Sequence, residues 1–247
     1  MRATKIRLGL AALAVLAAYA QERGPRLAVF QRMPLASAAD GIDGELQVMQ
    51  DARITPAHRK ALWGIADMAM KDANPMWDVF KKIPPRNGVL RIVNKDGTVV
   101  DSKNLERPLA WMDRAHLHGG NRVTYLVTVD YGLGWGSYNG PITFLVEIAG
   151  GRMNWLDAAV GRNGKSRPIV LMQSLKTVWK IVKAPGGQGR EILAAACRPG
   201  DFTGSDTEFL MTYSRYFFDG KKWVRLDRLE EGYSDFEDGF PARSLFP

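Results

Sequence analysis

The stretch RVTYLVTVDYGLGWGSYNGPITFLVEIAGGRMNWLD, from Arg122 to Asp157, decides the fold of this chain. Apolar β-branched or aromatic residues alternate with polar ones in two segments, 122–131 and 142–149, which flank a loop rich in glycine and aromatic residues. This period of two is typical of half-buried strands, and the Gly150-Gly151 pair permits a tight turn into a third strand. The stretch therefore predicts an antiparallel β-meander.

The alternation also assigns side chains to faces, because residues two apart on a strand lie on the same face. The first strand places its large side chains on one face and two threonines on the other: Val123, Tyr125, Val127 and Val129 against Thr124 and Thr128. The second strand does the same with Ile142, Phe144, Val146 and Ile148 against Thr143 and Glu147. We expect both apolar faces to be buried.

Features of this stretch return about seventy residues later in the chain. At an offset of 68 residues the matches are Trp111 with Trp179, Gly119 with Gly187, Arg122 with Arg190 and Gly132 with Gly200. At an offset of 70 they are Gly150 with Gly220, Arg152 with Lys222, Leu156 with Leu226 and Asp157 with Asp227. A two-residue change inside a surface loop is typical of a tolerated insertion, so the pattern predicts an internal duplication.

The second copy differs from the first in one strand, where Leu193, three alanines at 194–196 and Cys197 replace the bulky run. Small side chains in a strand indicate that another part of the chain packs closely against it, either the helical segment or the other repeat. Cys197 is the only cysteine, so the chain has no internal disulfide, and we expect this thiol to be buried.

The first twenty residues predict a secretory signal peptide. Three basic residues open the chain (Arg2, Lys5 and Arg7), and an apolar run follows at 8–18, too short to span a bilayer. Ala18-Tyr19-Ala20 provides a small-x-small cleavage site before Gln21. We expect a protein that is exported, periplasmic or secreted, and that keeps no transmembrane anchor after cleavage.

The net charge that remains after removal of the predicted signal peptide limits the class of partner. Removing the three basic residues of the signal from the 34 Lys and Arg leaves 31 against 26 acidic residues, a net charge of +5. This diffuse positive charge favours an envelope partner, either a protein or a glycan, and together with the export signal it argues against nucleic acid. We predict no cofactor.

The remaining segments complete the predicted organisation. Residues 43–53 and the capping pairs Thr55-Pro56 and Asn74-Pro75 predict short helices, and Pro84-Pro85 ends them. The last segment, after Asp227, alternates acidic and aromatic residues and is expected to be held against the sheet by its aromatic rings. In order, we predict a signal peptide at 1–20, a loosely ordered lead-in at 21–42, a helical segment with its linker at 43–88, repeat 1 at 89–158, and repeat 2 with a C-terminal tail at 159–247.

Two histidines, His116 and His118, are the first candidates for chemistry, because residues two apart on a strand share a face. Zinc needs three or four ligands, and no third histidine lies nearby, so we predict no metal site. A hydrolase of envelope glycan or peptide that uses His116 or His118 with Asp130 remains an alternative function. The competing interpretation is a pair of histidines in a surface loop.

The Gly/aromatic loop is the stronger candidate and predicts a ligand-binding site. Glycines let backbone approach a ligand, and tyrosine and tryptophan offer flat apolar faces with a polar edge. The candidate ligand-binding residues are Tyr131, Trp135, Ser137, Tyr138 and Asn139. The glycine spacing is not that of a phosphate loop, since no Gly-Lys-Ser/Thr follows. The alternative interpretation is that Trp135 and Tyr138 plug the end of the sheet.

The sequence as a whole predicts a mainly β fold of the α+β type. It consists of two related antiparallel β-meander repeats of about 70 residues with a short helical N-terminal segment, arranged as one barrel, a sandwich or a pair of blades. The function expected is an exported, non-enzymatic binding module of a bacterial-type cell envelope.

Overall fold

The computed structural model describes residues 26–35, 37–55, 83–119, 121–131, 138–161, 164–185, 189–200, 209–236 and 239–247. Within them lie one short helix, α1 (Ser37–Asp40), and a 3-10 turn at Arg243–Leu245. The described strands are β1 (Leu27–Leu35), β2 (Gly44–Asp51), β3 (Val89–Asn94), β4 (Val99–Asn104), β5 (Leu109–Ala115), β6 (Thr124–Asp130), β7 (Ile142–Ala149), β8 (Arg152–Trp155), β9 (Asp157–Val160), β10 (Ser166–Pro168), β11 (Val170–Met172), β12 (Thr177–Lys183), β13 (Arg190–Pro199), β14 (Phe209–Phe218) and β15 (Trp223–Glu231).

These strands form three sheets. Sheet A has the order β1-β2-β3-β4, sheet B the order β11-β7-β6-β5, and sheet C the order β10-β9-β15-β14-β13-β12. β8 also pairs with β7. It contacts residues 146–149 of that strand, whereas β11 pairs with residues 142–144. All pairs are antiparallel except β9 with β15, which is parallel. The prediction of a mainly β fold built from antiparallel strands is confirmed.

Sheet B is the middle layer of the molecule. One of its faces packs against sheet A, through Tyr125, Val127 and neighbouring side chains that meet Leu46 and Ile92. Its other face packs against sheet C, where Leu126 belongs to the same buried cluster as residues of β13 to β15. Every residue of β6 is buried because both faces of the strand are covered. The apolar face predicted from the alternation is confirmed for this strand. The predicted half burial is wrong, because Thr124 and Thr128 on the opposite face are buried as well.

The outer face of sheet C is covered by the end of the chain. Phe236 and Phe246 are buried there against Cys197 and Met211, and the rings of Phe240 and Phe246 stack with their centroids 5.5 Å apart. The predicted role of the C-terminal aromatic rings and the predicted burial of Cys197 are both confirmed.

The N-terminal prediction needs correction in two places. Residues 44–51, predicted as a helix, form β2, which is paired with β1 on one side and β3 on the other. Strand pairing on both edges outweighs the weak helical pattern of Leu46 and Met49. The lead-in predicted as loosely ordered contains β1, an edge strand that tolerates Pro34 and a bulge between Val29 and Gln31. The helices predicted within residues 56–82 and the signal at 1–20 lie outside the described residues.

Two meanders occupy the predicted repeats, β5-β6-β7-β8 and β12-β13-β14-β15. The hairpins β7–β8 and β14–β15 share one register, since Glu147 pairs with Asn154 and Phe217 with Val224. The first pairs of strands differ by two residues, because Trp111 pairs with Thr128 whereas Trp179 pairs with Ala194. The duplication itself stays a prediction. Among the described residues, no helix has the length and apolar character needed to cross a membrane.

Candidate functional site

The described ends of the Gly/aromatic loop carry two exposed tyrosines. Tyr131 follows β6 and is 47% exposed, and Tyr138, before β7, is 45% exposed. The guanidinium of Arg107 lies 4.0 Å from the centroid of the Tyr131 ring, which is a cation–π contact. Asn139 is also exposed, whereas Trp135 and Ser137 lie outside the described residues. Large apolar rings left in water at both ends of one loop favour contact with a ligand.

A cleft of about 360 Å³ lies beside this loop, between sheet B and β12. We call it the tryptophan cleft, and it is lined by Trp111, Asp113, Leu126, Thr128, Pro141, Thr143, Gln173 and Trp179. Pro141 directly follows the last residue of the loop, Gly140, so the loop and the cleft are continuous along the chain. The volume is within the range of small-molecule sites, which combine apolar walls with a few polar groups.

Strand geometry explains why these side chains converge. Trp111 and Thr128 are directly paired across β5 and β6, so they lie on the same face of sheet B. Thr128 in turn pairs with Thr143 on β7, and the two hydroxyls are hydrogen-bonded at 2.7 Å. Trp179 reaches the cleft from β12, an edge strand of sheet C. Thr128 and Thr143 therefore form the base of the cleft, between the indole rings of Trp111 and Trp179.

Gly140 has a structural reason to be glycine. A Cβ at this position would overlap the carbonyl oxygen of Gln173, and the backbone N–H of Gln173 donates to the carbonyl of Pro141 at 3.0 Å. The close approach is therefore between two parts of the chain, and it fixes the segment after β11 at the rim of the cleft. The sequence predicts that the glycines of this loop let the backbone approach a ligand, whereas Gly140 instead lets two parts of the chain pack closely.

Asp130 and the two histidines lie at opposite ends of β6. Asp130 is the last residue of the strand, whereas His118 contacts Glu147 and so lies near Thr124 at the first residue. Six residues of strand span about 20 Å at 3.4 Å per residue. The structure therefore does not bring His118 together with Asp130. β5 ends at Ala115, so His116 and His118 do not share a strand face, and His116 is exposed.

His118 belongs to a buried cluster between sheets B and C. Its Nε2 is hydrogen-bonded to Oε1 of Glu147, and its ring packs edge-on against Phe218 and Trp223 with centroids 4.4 and 5.3 Å away. Glu147 is 4% exposed and also pairs with the guanidinium of Arg122, whose own side chain is half in solvent. A buried carboxylate is stable only when paired, and His118 and Arg122 supply the partners of Glu147.

The sequence placed Glu147 on the polar face of its strand but gave it no role. The signal was present, since Glu147 is the one charged residue in the apolar segment 142–149. A charge in a strand that is covered on both sides needs a partner, and the nearby histidine and arginine supply it. Within the described ranges, no group of three or more His, Cys, Asp or Glu side chains is placed to hold a metal ion.

Comparison of this chain with protein-family models, with curated proteins and with solved structures found no match.

Proposed function

We propose that this chain is an exported, non-enzymatic binding module of a bacterial-type cell envelope. Its binding surface consists of the Gly/aromatic loop, with Tyr131, Trp135, Ser137, Tyr138 and Asn139, together with the tryptophan cleft beside it. The observation that carries the proposal is the convergence of Trp111 and Trp179, from two different sheets, on one cleft next to exposed tyrosines.

The chemistry of the cleft favours a sugar ring of the envelope glycan. Indole faces suit the C–H faces of a saccharide, and the carboxylate of Asp113 and the amide of Gln173 offer acceptors and donors for its hydroxyls. Thr128 and Thr143 add hydroxyls on the floor of the cleft. A duplication of the β-meander would account for two tryptophans at matched positions, one from each copy.

Export follows from the predicted signal at 1–20, and the net charge of +5 that remains after cleavage favours an anionic wall or membrane surface. The hydrolase alternative needs His116 or His118 to act with Asp130. The separation of about 20 Å along β6 removes the main support for that pairing. His118 is better explained as a partner of buried Glu147.

The test is co-sedimentation of the purified full chain with isolated peptidoglycan sacculi. Changing Trp135 and Tyr138 together to Ala should abolish sedimentation while the circular dichroism spectrum stays unchanged. A matched control changes Val100 and Leu229 to Ala, two exposed apolar residues on β4 and β15 away from the loop. Equal sedimentation of the wild type and the Trp135/Tyr138 variant would refute the proposal.

A further inference from the structure

A second cavity, of about 130 Å³, lies between β11 and the inner face of sheet C. Its floor is the run of small residues noted in the sequence, with Ala194 and Ala196 on β13 beside Thr212 and Ser214 on β14. Ala196 pairs with Thr212 and Ala194 with Ser214, so these four side chains share one face of the sheet. Small side chains leave the space that large ones would fill. We call this space the arginine cavity, after Arg198 and Arg225 in its wall.

The wall of the arginine cavity carries an excess of hydrogen-bond donors. The side chain of Arg198 is exposed at the rim of the cavity and makes no ion pair or hydrogen bond with any residue that the structure describes. Arg225 donates from Nε to Oδ1 of Asp227 at 2.8 Å, and its two terminal nitrogens have no further partner within the described ranges. Ser214 donates to the same carboxylate at 2.7 Å, which leaves two guanidinium groups and one carboxylate around the cavity.

Tyr216 adds a hydroxyl donor to the wall of the arginine cavity. Its side chain lines the cavity and the residue is only 5% exposed, yet in the described part of the chain its hydroxyl makes no hydrogen bond. Burial raises the pKa of Tyr216, an effect that Arg225 opposes and Asp227 adds to. The hydroxyl is therefore protonated at neutral pH and is a donor. This hydroxyl is not among the buried polar atoms that lack a partner, so it is accessible in the cavity. Beside two guanidinium groups it offers a further donor to an acceptor placed there.

Size limits the ligand to a small group. An apolar cavity of about 150 Å³ holds one benzene molecule, so a cavity of 130 Å³ has room for a group of about five or six heavy atoms. Guanidinium groups bind carboxylate and phosphate oxygens with two parallel hydrogen bonds, and a tyrosine hydroxyl adds a third donor.

We propose that the arginine cavity binds a small oxyanion group, a phosphate or a carboxylate, held by Arg198, Arg225 and the hydroxyl of Tyr216. None of these residues lines the tryptophan cleft, so this inference goes beyond the proposed function and does not depend on it.

The experiment is an NMR titration of the ¹⁵N-labelled full chain with inorganic phosphate and, separately, with acetate, at fixed ionic strength. We expect the amide signals of Ala194, Ala196 and Ser214 to shift and saturate with one of the two probes. The probe that saturates at lower concentration identifies the group as phosphate or carboxylate. Arg198→Gln and Tyr216→Phe should each raise the dissociation constant about tenfold or more, since each removes a donor to a charged group.

The matched control is Arg190→Gln, which removes the same charge from the same strand outside the cavity and should leave the dissociation constant within twofold. Tyr216→Phe keeps the ring in the core, so a folded spectrum is expected and the loss of binding can be read directly. The inference is overturned if neither probe gives saturating shifts, or if Arg190→Gln weakens binding as much as Arg198→Gln.

Discussion

Trp111 and Trp179 line one cleft although they belong to edge strands of two different sheets, β5 of sheet B and β12 of sheet C. Their positions are therefore held by the packing of sheet C on sheet B, through Leu126, Leu145 and the other residues of that buried cluster. A ligand between the two rings contacts both sheets at once. Binding in this cleft should be coupled to the integrity of the interface between the sheets.

The first prediction concerns the two indole rings. Trp111→Leu and Trp179→Leu should each weaken the binding of soluble wall-glycan fragments about two- to tenfold, since each removes one aromatic contact of about 0.5–1.5 kcal/mol. Tryptophan fluorescence during a titration with these fragments measures the effect. Trp155→Leu is the control, because Trp155 packs against Phe144 outside the cleft. Unchanged affinity in both cleft variants would show that the glycan binds elsewhere.

The second prediction concerns acid stability. Asp51 is buried and pairs with Arg53, whose Nη2 lies 2.6 Å from Oδ2, and it also accepts the backbone N–H of Arg86. Burial raises the pKa of Asp51, but the hydrogen bonds from Arg53 and Arg86 outweigh burial and hold the pKa below its usual value. The stabilisation is therefore present above the unfolded pKa, about 3.9, and is lost as the pH falls through the folded value.

Asp51→Asn should lower the free energy of unfolding at pH 7 by about 1–3 kcal/mol, and the difference from the wild type should shrink below about pH 4. Urea unfolding at pH 7 and pH 3 measures both. The control is Asp43→Asn, because the Asp43–Lys95 pair lies on the surface and such pairs contribute little. A difference of the same size at both pH values would contradict the role assigned to the Asp51 charge.

The third prediction concerns the edge of sheet B. The side-chain amide of Gln31 donates to the carbonyl of Met112 at 2.6 Å and accepts from its N–H at 2.8 Å, as a neighbouring strand would. Met112 lies on the edge strand β5, where backbone groups need partners. Gln31→Ala should lower the free energy of unfolding by about 1–3 kcal/mol in urea. Arg32→Gln, which removes only a surface ion pair on the same strand, should change it by less than about 1 kcal/mol.

The fourth prediction distinguishes a structural role of His116 and His118 from a catalytic role. Glu147→Gln should destabilise the fold by about 1–3 kcal/mol, because it weakens the buried contacts to His118 and Arg122. His116→Ala, at an exposed residue, should leave stability unchanged. Neither change should alter binding of wall fragments once the protein is folded. A folded His118→Ala variant that loses turnover of an envelope substrate would instead favour the hydrolase.

The strands that could be predicted from the sequence are those whose own residues alternate clearly between apolar and polar. The alternation in 122–131 and 142–149 located β6 and β7 and assigned their faces, because a period of two needs no knowledge of the rest of the fold. β2 was misassigned because Leu46 and Met49 also fit a helical spacing, and only pairing with β1 and β3 decides between the two.

The candidate site, too, was predictable from the sequence only where it depends on local features. The exposed tyrosines at the loop ends follow from composition, whereas the meeting of Trp111 with Trp179 depends on the stacking of two sheets that are remote in sequence. The partner of His118 was missed for the same reason, since Glu147 is 29 residues away and reaches it only through the fold. Sequence spacing suggested Asp130 instead, at the wrong end of the strand.

Glycan binding by this loop and cleft is tested most directly by a photo-crosslinking residue at position 138 in cells that export the full chain. We expect a glycan-containing adduct that disappears when Trp111 and Trp179 are both changed to Ala, and no such adduct from the control position 229 on β15. A discrete protein adduct from position 138 would show that the partner of this loop is a protein and not a glycan. Absence of any adduct from the folded, exported chain would contradict the binding function, and the loop would then be a plug at the end of the sheet.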